Sequence, residues 1–176
     1  MATGVRVLVR DARPEERDAA VALTLEAYRQ YEISFGQPFW EQYISNINAQ
    51  WDRKGDEVQR IVAFHGTKLA GAVLYYPPQA GLYEKLQETI PYPEIRLLGV
   101  HPSARGQGVA TALIGACAQR AREADSRYLG LHTSGRMPDA VRLYRKLGFE
   151  RETRFDFLAA DHRTVVEAYR LALITN

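Results

Sequence analysis

Cysteine is nearly absent from this sequence. Cys117 is the only one, so no disulfide can form within the chain, and such a chain suits a reducing cytoplasm. Long apolar runs are absent too. None approaches the roughly 20 residues a helix needs to cross a bilayer, and Met1 to Val9 has no apolar stretch of the kind a secretory signal carries. There is little net charge. The formal value is +2 and no basic stripe stands out, which argues against a nucleic-acid partner. No spacing of His, Cys, Asp and Glu resembles a metal motif. No internal repeat, low-complexity tract or interdomain linker interrupts the chain. What is left is ordinary. The 176 residues are 46% hydrophobic and 25% charged, which fits one domain with a real core.

Hydrophobic periodicity divides the chain into elements. Val5, Val7 and Val9 alternate with Arg6, Leu8 and Arg10 and predict a strand. Pro14 stands where a first helical position would be, and Val21, Leu25 and Tyr28 extend a helix to about Tyr31. Phe39, Tyr43, Ile47 and Trp51 recur every fourth residue and predict a second helix. Val58 to Phe64 and Lys68 to Tyr76 read as strands joined by a His65-Gly66-Thr67 hairpin turn. Pro77 to Pro93 reads as a long connection with a short helix near Leu82 to Glu88, and loops of that length are often lids. Beyond it come a strand (Glu94 to His101), an alanine-rich helix (Arg105 to Ala124) and a strand (Arg127 to Thr133). A helix follows over Pro138 to Leu147, with Gly148 just past its end, and then two strands, Phe149 to Phe157 and Thr164 to Leu173. This mixture of strands and helices with hairpins predicts an α/β fold, a mixed sheet with helices on both faces.

The informative stretch runs from Leu97 to Ala110. An apolar strand ends at Pro102, a short turn holds Gly106 and Gly108, and a long helix begins. Backbone N–H groups at a helix N-terminus, with no Cβ in the way, can close around phosphate oxygens. Arg105 adds positive charge there. The turn is neither of two common phosphate loops. A dinucleotide fingerprint would need glycine or alanine at Thr111, and a P-loop would need a Gly-Lys-Ser/Thr triplet. Two alternating glycines are also what a plain strand-to-helix turn would show.

Arg105-Gly106-Gln107-Gly108-Val109-Ala110 matches the Arg/Gln-x-x-Gly-x-Gly/Ala motif of the GNAT N-acetyltransferase superfamily, and Val100-His101-Pro102 resembles that family's preceding strand end. A second block, Ala140 to Phe149, resembles its Ala-x-x-Leu-Tyr-x-x-x-Gly-Phe segment. The close match covers Glu94 to Phe149; the N-terminal third resembles the family only in element order. The resemblance implies a single acyltransferase domain over residues 1–176, built on a central twisted mixed sheet. It implies acetyl-CoA as co-substrate and an amine acceptor, with no metal, nucleic acid or membrane, and it leaves a homodimer open. It gives the pantetheine arm to the backbone of Leu98, Gly99 and Val100. It gives the pyrophosphate to the N–H groups of Arg105, Gly106, Gln107, Gly108, Val109 and Ala110. Tyr144 takes the place of the tyrosine that protonates the leaving thiolate. Many members carry asparagine seven residues before it, where this chain has Met137.

Transfer of an acetyl group to an amine needs the amine neutral, the carbonyl polarised and the thiolate protonated as it leaves. Glu94 is the candidate base, on a strand position where some family members carry a catalytic glutamate. If alternation holds, Glu94 shares a face with Arg96, Leu98 and Val100. His101 and His132 are rivals, because imidazole titrates near neutrality. Tyr144 also lies at helical spacing with Val141 and Leu147, which core packing alone would produce. Cys117 falls on the buried face of its helix and reads as a core thiol. In this family the helices before the second strand often wall the acceptor site, which marks Tyr31, Phe35 and Trp40. Two other readings stay open: a CoA-binding regulatory module without turnover, and transfer of a longer acyl group.

Overall fold

The periods read from the sequence recur in the structure with shifted ends. The computed structural model describes residues 4–55, 58–78, 86 and 88–174. Strand β1 (Val7–Asp11) leads through a 3-10 turn (Pro14–Glu16) into helix α1 (Arg17–Tyr28). A second 3-10 turn (Arg29–Tyr31), the short helix α2 (Glu32–Phe35) and helix α3 (Gln37–Asp52) follow. Strands β2 (Gln59–His65) and β3 (Lys68–Tyr76) form the expected hairpin, turning at Gly66-Thr67. Next come β4 (Glu94–Val100), a 3-10 turn (Pro102–Ala104), α4 (Val109–Glu123), β5 (Tyr128–Ser134) and α5 (Pro138–Lys146). Strands β6 (Glu150–Arg151), β7 (Phe157–Leu158) and β8 (Val165–Ala172) close the chain. The short helix expected near Leu82 to Glu88 falls mostly outside the described residues. Among the described residues, no helix is long and apolar enough to cross a membrane.

These elements form two compact units, Met1–Tyr75 with Leu97–Ala116, and Tyr76–Arg96 with Cys117–Asn176. Strand β4 and helix α4 each contribute residues to both. In the first unit, β1 pairs antiparallel with β2 (Val7↔His65) and β2 with β3 (Gln59↔Tyr75). The end of β4 lies beside β3, where the His101 N–H donates to the Ala70 carbonyl at 2.8 Å. Helix α1 buries Ala20, Val21, Leu23, Thr24 and Ala27, whereas Leu25 and Tyr28 are only half-buried. The inward face is therefore turned toward smaller residues than Val21, Leu25 and Tyr28 suggest. The reason is close approach: a Cβ on Gly99 of β4 would stand 3.3 Å from Ala27 Cβ and 3.4 Å from Thr24 Cα. Val5 lies outside β1 and is exposed.

In the second unit, β4 pairs parallel with β5 at Glu94↔Gly130 and Ile95↔Leu131. β5 runs antiparallel to β8 from Tyr128↔Ala172 to Ser134↔Val166. β6 and β7 both pair with β8 on its other side. The long strand expected over Phe149 to Phe157 is thus two short ones, separated by a 3-10 turn at Thr153–Phe155. A polar clamp accounts for the break. Arg151 donates a fork to Asp156 at 2.7 and 2.6 Å, and Asp156 accepts the Ala168 N–H at 2.8 Å. The turn so held drives Phe155 into a cluster with Ile90, Tyr92 and Ala168.

Candidate functional site

The first half of the sequence-predicted site lies in the first unit. His101 begins the Pro102–Ala104 turn: its Nδ1 accepts the Ser103 N–H at 3.2 Å. That nitrogen is engaged in capping, which gives His101 a structural task. The four residues Arg105 to Gly108 then form a turn outside the helix, so α4 starts at Val109 rather than at Arg105. The backbone explains the difference. Gly106 has φ +74° and Gly108 φ +81°, and a helix cannot pass through left-handed residues. A Cβ built on either glycine would meet nothing within 4 Å. The turn therefore has open space in front of it.

Helix α4 is 15 residues long, and its first N–H groups have no partner within the helix. Nor does any hydrogen bond among the described residues come from the backbone N–H of Gly106, Gln107 or Gly108. The turn and the helix end together present donors, a favourable helix dipole and room for an anionic group. The Arg105 side chain is tied back rather than aimed forward: its Nη2 donates to the carbonyl of Ala27, at the end of α1, at 3.2 Å. Below the turn, Val109 and the Gly99 carbonyl meet over Gly71, whose Cβ would lie 2.7 and 3.1 Å from them. Leu98, Gly99 and Val100 are thereby held next to the turn.

Strand β4 is irregular where these residues begin. Leu97 has φ +52°, a left-handed conformation that a side chain adopts at a cost of about 1–2 kcal/mol. Strict alternation needs extended backbone throughout. The expectation that Glu94 and Arg96 share a face with Leu98 and Val100 therefore does not carry across Leu97.

The remaining candidates lie in the second unit. Glu94 is only 2% exposed, and His132 on β5 faces it, with Nδ1 3.0 Å from Glu94 Oε1. The other ring nitrogen, Nε2, lies 2.8 Å from the carbonyl oxygen of Phe155. A carbonyl only accepts, so Nε2 carries hydrogen. His132 Nδ1 and the Glu94 carboxyl group are left facing each other within hydrogen-bond distance. The ring of Tyr92 packs close by, and burial, reinforced by the Glu94 charge, pushes its phenol well above the ordinary tyrosine range. The sequence offers Glu94 and His132 singly and gives no sign of Tyr92. Their convergence spans 38 positions between Glu94 and His132 and has no local signal.

Tyr144 sits in the last turn of α5 and is buried. Helix α5 ends in a Schellman motif: the Phe149 N–H donates to the Tyr144 carbonyl at 3.0 Å and the Gly148 N–H to Arg145 at 3.1 Å. Gly148, with φ +96°, supplies the left-handed residue. The rings of Tyr144 and Phe149 stand 5.6 Å apart, the apolar contact that accompanies this motif. Met137 is the residue before α5, and its sulfur accepts from Thr133 Oγ1 at 3.7 Å, a contact inside its own unit.

A family model for the acetyltransferase (GNAT) family matches residues 22–149. No curated protein sequence matches the chain. A solved acetyltransferase of the GNAT family from Desulfovibrio desulfuricans superposes with a TM-score of 0.70 at 20% identity, over 96% of this chain and 100% of the other. A histone acetyltransferase HPA2 and related acetyltransferase structure from Corynebacterium glutamicum gives 0.69 at 18% identity, over 97% and 98%. The PaiA N-acetyltransferase of Thermoplasma acidophilum, solved with coenzyme A, gives 0.69 at 12% identity, over 95% and 99%. At these identities the likeness is one of fold. The family match covers most of the chain and contains both the glycine turn and the Tyr144 block, and so the chain belongs to the acetyltransferase (GNAT) family and is an N-acetyltransferase by class.

Proposed function

We propose that this chain transfers an acetyl group from acetyl-CoA to the primary amine of a small molecule or a protein, by direct attack within a ternary complex. The observation that carries this reading is the turn at Arg105 to Gly108: two left-handed glycines facing open space at the start of a 15-residue helix. Acetyl-CoA supplies the activated thioester. The N–H groups of Arg105, Gly106, Gln107, Gly108, Val109 and Ala110 would hold its pyrophosphate, and the backbone of Leu98, Gly99 and Val100 its pantetheine arm. Neither task requires a side chain, so Met137 in place of asparagine leaves both intact. Tyr144 Oη would give a proton to the departing sulfur. Glu94, joined to His132, would accept the proton released by the amine through an intervening water. The family match and the structural likenesses that span nearly the whole chain favour reading residues 1–176 as one acetyltransferase domain. The one cysteine, buried in α4, suits a reducing cytoplasm.

Calorimetric titration with acetyl-CoA, followed by a thiol-release assay over a panel of amines, tests the proposal. Binding together with amine-dependent thiol release is the expected result. Binding without release from any amine would favour a CoA-responsive regulatory module. The Schellman packing of Tyr144 gives that second reading its specific support, because the ring already has a structural task.

A further inference from the structure

Six of the chain's eighteen aromatic residues fall between positions 28 and 43. They form one continuous set in the first unit. Phe35 touches Tyr31 (ring centroids 6.0 Å apart), Phe39 (6.2 Å) and Tyr43 (5.5 Å). Tyr43 in turn meets Tyr28 at 5.6 Å and stacks on Trp40 at 6.3 Å. Tyr31 and Trp40 are buried, whereas Tyr28, Phe35, Phe39 and Tyr43 keep part of their surface in solvent. A set built only for packing would hide its central rings. Here the two hubs, Phe35 and Tyr43, are among the half-exposed members.

The location of the set matters as much as its make-up. It begins at Tyr28, one residue after Ala27. Ala27 is where α1 meets both parts of the cofactor-holding segment: its Cβ lies 3.3 Å from where a Cβ of Gly99 would stand, and its carbonyl accepts from Arg105. The aromatic set thus begins one residue along α1 from the residue that touches the strand and the turn assigned to acetyl-CoA. Its charged residues are Arg29, Glu32 and Glu41, and Arg29 is paired with Glu26 at 3.3 Å. The surface is therefore apolar, π-rich and slightly negative.

From this we infer that the acceptor is an arylalkylamine, a primary amine carried on an aromatic body, bound by the Tyr28–Tyr43 aromatic set. The inference rests on the acetyltransferase reading above. An aryl group gains tilted and stacked contacts with these rings, and the incoming ammonium is attracted to their faces. A polyamine carries no aryl body to gain those ring contacts. The one-unit negative balance of this segment does not favour an acidic acceptor. In the transfer, the amine nitrogen bonds to the acetyl carbon as the carbon–sulfur bond breaks. The nitrogen, having given its ammonium proton to the base before attack, loses a second proton in the transfer, and the sulfur gains one and leaves as a thiol.

The test compares 2-phenylethylamine, spermidine and a short peptide with an N-terminal alanine. Each is assayed by thiol release at saturating acetyl-CoA and titrated calorimetrically into the CoA-bound protein, so that binding is read even without turnover. The expected result is that 2-phenylethylamine has a kcat/KM at least about tenfold above the other two, or binds correspondingly tighter. Phe35→Leu, which keeps the site apolar, should raise its KM about tenfold while the acetyl-CoA Kd and the circular dichroism spectrum stay as in wild type. Preference for spermidine or the peptide, no binding of 2-phenylethylamine to the CoA complex, or an unchanged KM in Phe35→Leu would each overturn the inference. Failure of acetyl-CoA itself to bind is a separate result, and it would remove the acetyltransferase reading on which the inference stands.

Discussion

The turn at Arg105 to Gly108 and the pair formed by Glu94 and His132 make opposite use of side chains. At the turn, the groups proposed to hold the pyrophosphate are backbone N–H donors, Gly106 and Gly108 contribute only their φ angles, and even Arg105 directs its side chain away, to Ala27. At the pair, the backbone only delivers Glu94 and His132 to neighbouring strands. The chemistry proposed for the pair would lie in two buried side chains held in contact. A site of the first kind is broken by adding atoms. A site of the second kind is broken by removing them.

The sharpest probe of the side-chain half is Tyr144→Phe. The ring and its contact with Phe149 remain and only the hydroxyl is lost. If Tyr144 protonates the leaving thiolate, kcat should fall about 10²–10⁴-fold with acetyl-CoA affinity unchanged; full activity would return Tyr144 to its packing role. His132→Ala should come next. It removes the imidazole that the buried Glu94 contacts, and denaturant titration should show a loss of about 3–5 kcal/mol. The companion variant Glu94→Gln keeps the shape. It should depress the rate most at low pH, where the amine is protonated, and recover partly as pH rises. A pH–rate profile identical to wild type would release Glu94 from the role of base.

Gly108→Val probes the backbone half. Its β-branched side chain would enter the open space before the turn and would strain a residue at φ +81°. Acetyl-CoA affinity should drop by about 10–100-fold, roughly two or three lost hydrogen bonds, while the melting transition stays cooperative. Unchanged affinity in the folded protein would remove the cradle assignment. The smallest effect concerns the Arg151–Asp156 clamp. Burial alone would raise the Asp156 carboxyl, but the Arg151 fork and the Ala168 N–H outweigh it and hold the group below the usual range. A depressed folded-state value means the clamp's contribution is complete above about pH 4, the ordinary aspartate value, and is lost as pH falls through the lower folded value. Asp156→Asn should cost about 1–3 kcal/mol at neutral pH and remove that acid-side slope. An unaltered slope would place it elsewhere.

What could be read from the sequence was local. Gly148 announced the end of α5 because a Schellman motif is closed within six residues, Tyr144 to Phe149. Gly66-Thr67 announced the hairpin for the same reason. The features that escaped depend on distant partners or on unmarked backbone. Nothing about Leu97 signals a left-handed residue in a strand, so the sequence predicts unbroken alternation from Glu94 to Leu98. The break between β6 and β7 depends on Asp156 meeting both Arg151 and Ala168 of a later strand. In α1, helical periodicity favours the larger residues Leu25 and Tyr28, whereas Ala27 and Thr24 stand closest over Gly99, with the tip of Leu23 just beyond them. The roles assigned to Glu94 and Tyr144 came from motif position, and the structure adds to each a partner that the motif does not mention.

The burial of Cys117 has a practical consequence. It is the chain's one cysteine, none of its surface reaches solvent, and burial pushes its thiol up to about 12. Only the thiolate reacts with disulfide and maleimide reagents, so at neutral pH the folded protein is silent toward them. A chromogenic thiol reagent added during turnover would therefore report released coenzyme A with no background from the enzyme. By the same logic, a cysteine introduced at an exposed position such as Ile33 would be the single labelling point, and a fluorophore placed there would sit beside the aromatic set without a second site to correct for.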